Sequence, residues 1–335
     1  MMNFNSRNPL FEVKPSVITG DTADVYLHRT QRIMRNEGMN PNVLMEFAAT
    51  EHAIMCGALE VKAILSKVTS EGNREIWALE EGLSVSPSEV CLQVRAPYSS
   101  FGLYETAICG TLAHQTGWAT AARRLTDAAK GIPVISVGAH NVHPSVAAVM
   151  DYAAVVGGCA SGSTALGAKL ANTPPVATVS GALVQLMGDP LKAVLAFDKA
   201  FPPDVQRVAY VDPRKDIIDQ VISVAAGTKD HLNSVRISRA PGGRLVDASD
   251  IHLVRQRLDE IDANHVQIVL SGRLSPERIM DLVENNAPVD ILHDTSYIAS
   301  SSPVPFSPNI RSISDKEVPQ ELDPMPPNPR LLRLL

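Results

Sequence analysis

Aromatic residues make up only 4% of this 335-residue sequence, and basic charge is not in surplus: the formal net charge is −6 and the pI about 5.9. A nucleic-acid surface needs a cationic footprint and stacking rings, so DNA and RNA are excluded as partners. A small anionic ligand would need local donors instead. Cysteine is scarce, at Cys56, Cys91, Cys109 and Cys159. No two stand at C-x-x-C spacing, so no metal site is expected. Such widely spaced thiols read as reduced core residues of a cytosolic protein. Cys159, near glycines, keeps a second reading as a reactive thiol. The opening MMNFNSRNPLFEV lacks a signal-peptide pattern, and no apolar run reaches membrane-spanning length. A cytoplasmic protein without a membrane partner is expected.

What is present is enough apolar material, 45% of residues against 20% charged, to fill a sizeable core. Three regions differ in texture. Residues 1–110 read as a small α+β domain. Within it, 24–65 looks helical (VYLHRTQRIMRNEG, then MEFAATEHAIMCGALEVKAILSKV), and short alternating stretches around 84–85 and 90–94 look like half-buried strands. Residues 111–305 read as an irregular parallel β/α barrel, entered through a long small-residue helix ending at Gly131. Seven apolar runs, IPVISVG, YAAVVGG, PPVATV, RVAYVD, SVRIS, VQIVLS and VDILH, alternate with helical stretches. Non-alternating β-branched runs separated by helices mark buried parallel strands. Residues 306–335 form a Pro-rich tail in which proline density argues against regular structure, leaving either a disordered segment or an extended arm on a neighbouring surface.

In a β/α barrel, chemistry sits at the C-terminal strand ends. Those ends read Gly138-Ala139-His140-Asn141, Gly157 to Ser163, Thr178-Val179-Ser180-Gly181, Asp212-Pro213-Arg214-Lys215, Arg236-Ile237-Ser238-Arg239, Ser271-Gly272-Arg273 and His293-Asp294-Thr295-Ser296. Small residues let a ligand approach the backbone, and helix N-termini after Ser271 and Asp294 could hold phosphate. Arg236, Arg239 and Arg273 could neutralise it. Plainer readings stand beside these. Gly157-Gly158 can simply turn the chain, Asp212 can cap a helix, Ser271-Gly272 can lead into a cap at Ser275, His140 and His143 can be surface residues, and Arg236 can form a structural ion pair.

In order along the chain, DVYLHRT at 24–30, FGLYETAICG at 101–110, His143-Pro144, the 157–170 stretch ending GAKL, and the 257–272 run resemble the nicotinate phosphoribosyltransferase family, archaeal type. The resemblance implies transfer of phosphoribose from phosphoribosyl pyrophosphate to a ring nitrogen, with homodimerisation or higher assembly. It places a ring-stacking tyrosine at Tyr26, catalytic positions at Asp212 and Arg236, and phosphate-loop positions at Ser271 and Gly272. Strand-end position adds His140, Asn141, Ser163 and Ser180 as base-side candidates and Arg239, Arg273, Thr295 and Ser296 as phosphate-side candidates. No resident cofactor is expected; Mg2+ would enter only with a pyrophosphate substrate.

Several positions depart from the family pattern. Gly181 stands where the phosphorylated histidine of ATP coupling would be, and His140-Asn141 replace an arginine pair. Ser238 replaces a ribose-binding aspartate, Arg273 a loop glycine, and His293-Asp294-Thr295-Ser296 a glycine-rich phosphate loop. A metal-binding cysteine cluster is missing. Either the barrel is adapted to another substrate, without ATP coupling, or it is a catalytically inactive homologue serving as a binding or structural subunit. An ordinary nicotinate enzyme lacking only the coupling is a third reading.

Overall fold

The computed structural model describes residues 11–239, 242–319 and 328–335. Two compact units emerge, Met1–Thr120 with Ser301–Leu335, and Ala121–Ser300. Among the described residues no helix is long and apolar enough to cross a membrane.

The first unit is built on a six-stranded antiparallel sheet, in the order Lys316–Glu317, Phe306–Ile313, Asn42–Ala49, Val90–Pro97, Glu75–Ala78, Leu332–Arg333. The helices Val25–Asn36 and Ala58–Val68 and the first part of Glu105–Ala128 belong to the same unit. Its core gathers Phe47, Met55, Leu65, Ile76, Leu92, Phe101, Ile108 and Leu112, all fully buried. The helical expectation for the stretch around Met45 is overturned. Asn42–Ala49 is a central strand, with Val43, Met45 and Phe47 buried alternately. Met, Glu and Ala favour helix weakly, by a few tenths of a kcal/mol each, and pairing on both strand edges outweighs that.

The tail is corrected as well. Phe306–Ile313 pairs antiparallel with Asn42–Ala49, and Leu332–Arg333 pairs with Glu75–Ala78. A strand tolerates Pro308 because, among the described residues, the outer hairpin reaches no further along it than Arg311 to Ile313. The approach to this strand is tightly seated. A Cβ on Gly117 would lie 2.4 Å from the Ser302 carbonyl oxygen, so only glycine admits the crossing chain. Part of the extended-arm expectation, at 320–327, lies outside the described residues.

The second unit is an irregular β/α barrel. Its six parallel strands run in the order Ser161–Gly162, Val134–Ser136, Ile291–Asp294, Gln267–Gly272, Ser234–Ile237, Val208–Tyr210. That order is a cyclic progression along the chain, unlike the reversal of a doubly wound sheet. Residues 176–179 bridge the two end strands without forming a strand themselves: the Val176 amide donates to Gly162 O at 3.2 Å and the Val179 amide to Val208 O at 3.0 Å. Thus PPVATV closes the ring as an irregular segment. YAAVVGG is not a strand. Its residues end the helix Pro144–Val156, and Gly158, at φ 120°, turns the chain into Ser161–Gly162. Asp151 on that helix organises the turn, accepting from Ser136 Oγ (2.8 Å), the Thr164 amide (2.8 Å) and Thr164 Oγ1 (2.7 Å).

Candidate active site in the barrel

Register neighbours in a parallel sheet share a face. Tyr210, Arg236, Val269 and Ile291 are aligned, and so are Ser271, His293 and Ile135. These face the lumen. The alternate residues Val235 and Ile237 are fully buried, and Ile237 lines a cavity of about 230 Å³ with Ile217, Ile218, Leu253 and Val254 of the outer helices. That cavity lies on the helix side of the strands, and its lining is mainly aliphatic. The polar chemistry is inside the ring.

There the Arg236 guanidinium carbon sits 4.7 Å from the centre of the Tyr210 ring, a cation–π arrangement, while Nη1 donates to Thr178 Oγ1 at 3.1 Å. Burial holds this guanidinium below its ordinary pKa. Its Nε is buried with no hydrogen-bond partner. So are His293 Nδ1 and, one layer deeper on the strand of Arg236, Ser234 Oγ; together these are the unpaired buried side-chain atoms among the described residues. Burial, then the charge of Arg236, pushes the His293 imidazole down to about 4, so it is neutral at pH 7. Unpaired buried polar groups are costly and rare, and they concentrate where a ligand completes them.

The two carboxylates at strand ends are already engaged. Asp212 Oδ1 accepts from Arg214 Nε (2.8 Å) and Oδ2 from Nη2 (2.7 Å), a bidentate pair that holds its carboxyl below the usual range. Asp216, not Asp212, caps the helix Ile217–Thr228. Asp294 is fully buried. Its Oδ1 accepts the amides of Ser296 (3.3 Å) and Tyr297 (3.0 Å), and Oδ2 that of Ile298 (3.0 Å). Burial raises its pKa while these amides work against the rise. The expectation of free amides for phosphate after Asp294 therefore does not hold. No helix begins there, and the chain's own carboxylate fills the cradle.

Other candidates are dispersed. Ser271 is buried beside His293 in register, and Gly272, at φ 155°, accepts the Thr295 amide at 3.0 Å. Arg273 is exposed; Arg239 is exposed and donates to Gly243 O at 3.4 Å. His140 and Asn141 are exposed, and Asn141 Nδ2 donates to Thr295 O at 2.6 Å. His143 caps its helix through Nδ1. Ser163 is half-buried, and Ser180 caps the helix Gly181–Met187, accepting the Leu183 amide at 3.1 Å. In the other unit, Tyr26 is 55% exposed and donates to Glu105 Oε1 at 3.3 Å. Burial raises the Cys159 thiol well above its ordinary value, which removes the reactive-thiol reading.

Sequence reasoning missed Tyr210, whose role depends on pairing with a distant strand. It also missed Arg278, which donates to Arg273 O (3.2 Å) and Val246 O (3.1 Å) and is depressed by burial and then by Arg239. A Cβ on Gly181 would stand 2.9 Å from Tyr210 Cε1, so the tyrosine ring occupies the space a side chain at 181 would enter.

Mg2+ would need free oxygen ligands. The Asp212 and Asp294 carboxylates already accept hydrogen bonds, and among the described residues no group of three or more His, Cys, Asp or Glu side chains is placed to hold a metal.

Residues 24–116 match the N-terminal domain of quinolinate phosphoribosyl transferase. The chain is 30% identical over 217 residues to a nicotinate phosphoribosyltransferase of Mycobacterium tuberculosis, covering 64% of this chain and 46% of the relative, and 28% identical over 216 residues to that of Bacillus subtilis. It spans about half the length of these relatives. The crystal structure of nicotinate-nucleotide pyrophosphorylase from Pyrococcus furiosus superposes with a TM-score of 0.83 at 32% identity, covering 94% of this chain and 81% of that one. Human nicotinic acid phosphoribosyltransferase shares the fold at a TM-score of 0.68 and 16% identity, over 88% of this chain and 75% of that one. Sequence and fold agree across nearly the whole chain, which is a diverged member of the nicotinate phosphoribosyltransferase family.

Proposed function

We propose that the chain is a cytoplasmic phosphoribosyltransferase that joins a sugar phosphate, supplied as phosphoribosyl pyrophosphate or a relative of it, to a small acidic base other than nicotinate. No ATP-coupled phosphoenzyme takes part, and the chain works as a homodimer or larger assembly. The observation that carries this reading is the Arg236 guanidinium, stacked on Tyr210 with its Nε buried and unpaired, a donor edge suited to an anion. In the reaction, the base's ring nitrogen forms a bond to the anomeric carbon as the bond to pyrophosphate breaks. Positioning and charge stabilisation supply most of what such a transfer needs. Arg239, Arg273 and Arg278 offer positive charge toward the leaving group. The absence of coupling rests on Gly181 and on the Tyr210 ring beside it. The altered base rests on His140 and Asn141, which stand where an arginine pair would take a carboxylate and so leave the acid group to Arg236.

A thermal-shift screen of nicotinate, nicotinamide, other pyridine acids, phosphoribosyl pyrophosphate and mononucleotides, followed by turnover assays, tests the reading. Shifts with phosphoribosyl pyrophosphate and with an acid other than nicotinate, with pyrophosphate release, support it. Efficient nicotinate mononucleotide formation would overturn the altered base. An acid-labile phosphoprotein formed from γ-labelled ATP would overturn uncoupled transfer, and a monomer by light scattering would overturn the assembly. A second reading, a catalytically silent binding subunit, draws on the occupied carboxylates of Asp212 and Asp294. Silence toward every phosphorylated ligand would favour it.

A further inference from the structure

The lumen offers more hydrogen bonding than one acidic group can use. Arg236 presents its unpaired Nε edge, and a fork of parallel N–H groups matches a single carboxylate. That leaves His293. It is 2% exposed, its Nδ1 has no partner, and strand register sets it on the lumen face that Arg236 also occupies. Neighbouring strands supply it no partner: register places Ser271 on one side and Ile135 on the other, and no hydrogen bond joins Ser271 to the imidazole.

Charge narrows what would complete it. Among the described strand residues that face the lumen, Arg236 carries the one fixed positive charge. A second carboxylate, or a phosphate dianion, would bring a buried charge with no fixed charge opposite it. The group that meets His293 is therefore neutral and hydrogen-bonding. A neutral imidazole nitrogen donates or accepts according to its tautomer, so hydroxyl, amino and carboxamide groups all satisfy it.

We propose that His293 is a specificity-determining residue. It hydrogen-bonds a neutral polar substituent on a ring acid whose single carboxylate is held by Arg236. The inference rests on reading the lumen as the acceptor site, and it names the acceptor class: hydroxy-, amino- or carbamoyl-substituted heteroaromatic monocarboxylic acids, in preference to the bare acid or a dicarboxylate.

The test is calorimetric titration of the full chain with nicotinate, 6-hydroxynicotinate, 6-aminonicotinate, 2-hydroxynicotinate and quinolinate. It is repeated on His293→Ala and His293→Gln, with each variant's melting temperature checked. Nitrogen NMR of the His293 imidazole in the native chain provides a second readout that needs no variant. At least one substituted acid is expected to bind about tenfold more tightly than nicotinate, the worth of one buried neutral hydrogen bond, and quinolinate to bind more weakly. The affinity ratio should fall to about one in His293→Ala and be partly restored in His293→Gln. The Nδ1 resonance should move with the preferred acid and much less with nicotinate. Equal affinity for nicotinate and every substituted acid, or a ratio unchanged in His293→Ala, overturns the proposal. Preference without pyrophosphate release in the presence of phosphoribosyl pyrophosphate would sink the transferase reading and leave this one standing. If no acid binds and Arg236→Gln changes nothing, both fall.

Discussion

In the antiparallel unit, buried polar groups find partners close by. Gln115 donates to Glu60 at 2.6 Å, Thr69 Oγ1 to Leu65 O at 2.6 Å, and Glu81 accepts the amides of Gly57 (3.0 Å) and Leu59 (2.9 Å). In the barrel, Ser234, Arg236 and His293 keep buried atoms without partners, all on the lumen face. Among the described residues, one unit closes its hydrogen-bond ledger within the chain; the other leaves it open toward the middle of the ring. A chain that satisfies its polar groups in one place and not in another shows where stability ends and binding begins.

Removing packing from the closed unit is expected to have the largest effect. Phe47 is fully buried between strand partners, and Phe47→Ala should destabilise the protein by about 3–5 kcal/mol in urea unfolding. A loss below about 1 kcal/mol would mean that the core is not as tightly packed as its burial indicates.

Gly117→Ala sets two effects against each other. Alanine in a helix interior ordinarily adds roughly 0.5–1 kcal/mol. Here its Cβ would press on the Ser302 backbone 2.4 Å away, and overpacking of that kind costs about 1–3 kcal/mol. The melting temperature should fall; a rise would show that 302–303 is not held against the helix.

The pH response of one buried group in each unit, Glu60 and His293, should have opposite sign. Burial, and then repulsion by Glu81, raises the Glu60 pKa in the fold. Its protonated form is favoured there, so its contribution is fully present below the ordinary Glu range and is lost as pH rises through the raised value. Glu60→Gln should be more stable than the parent at neutral pH, and the difference should vanish in acid. His293 runs the other way. Its pKa is lowered from 6.5 to about 4, so the unfolded chain binds the proton first and barrel stability falls as pH drops from about 6.5 toward 4. Hydrogen exchange followed by residue across this range separates the two responses. Parallel responses around Glu60 and His293 would break the comparison.

The smallest effect belongs to Ser234→Ala. Removing a hydroxyl with no partner should change stability by less than about 0.5 kcal/mol in urea unfolding. A loss above about 1 kcal/mol would reveal an ordered water bound to Ser234.

Much of the barrel was legible because its signals are local. Runs such as SVRIS and VQIVLS are β-branched, short and bounded by turns, and the helices between them carry their own caps at Asp216, Asp247 and Ser275. YAAVVGG misled because an apolar run at a helix end looks like one in a buried strand, and length alone does not separate them. The stretch around Met45 misled for the converse reason: its residues prefer helix weakly, and partners at 90–97 and 306–313 decided otherwise. At the site, strand-end residues were found by position, but their states were not. Asp212 was identified without its Arg214 clamp, and Asp294 without the three amides it caps.

The sequence by itself determined the alternation of strand and helix, the polar character of the strand ends, and the glycine at 181. These follow from local preference and periodicity, which act within a few residues. Tertiary structure decided that Arg236 stacks on Tyr210, that the Tyr210 ring fills the space beside Gly181, and that His293 faces the lumen unpaired. Those facts arise from register between strands separated in the chain by whole helices. A one-residue slip in that register would turn each of these side chains to the opposite face.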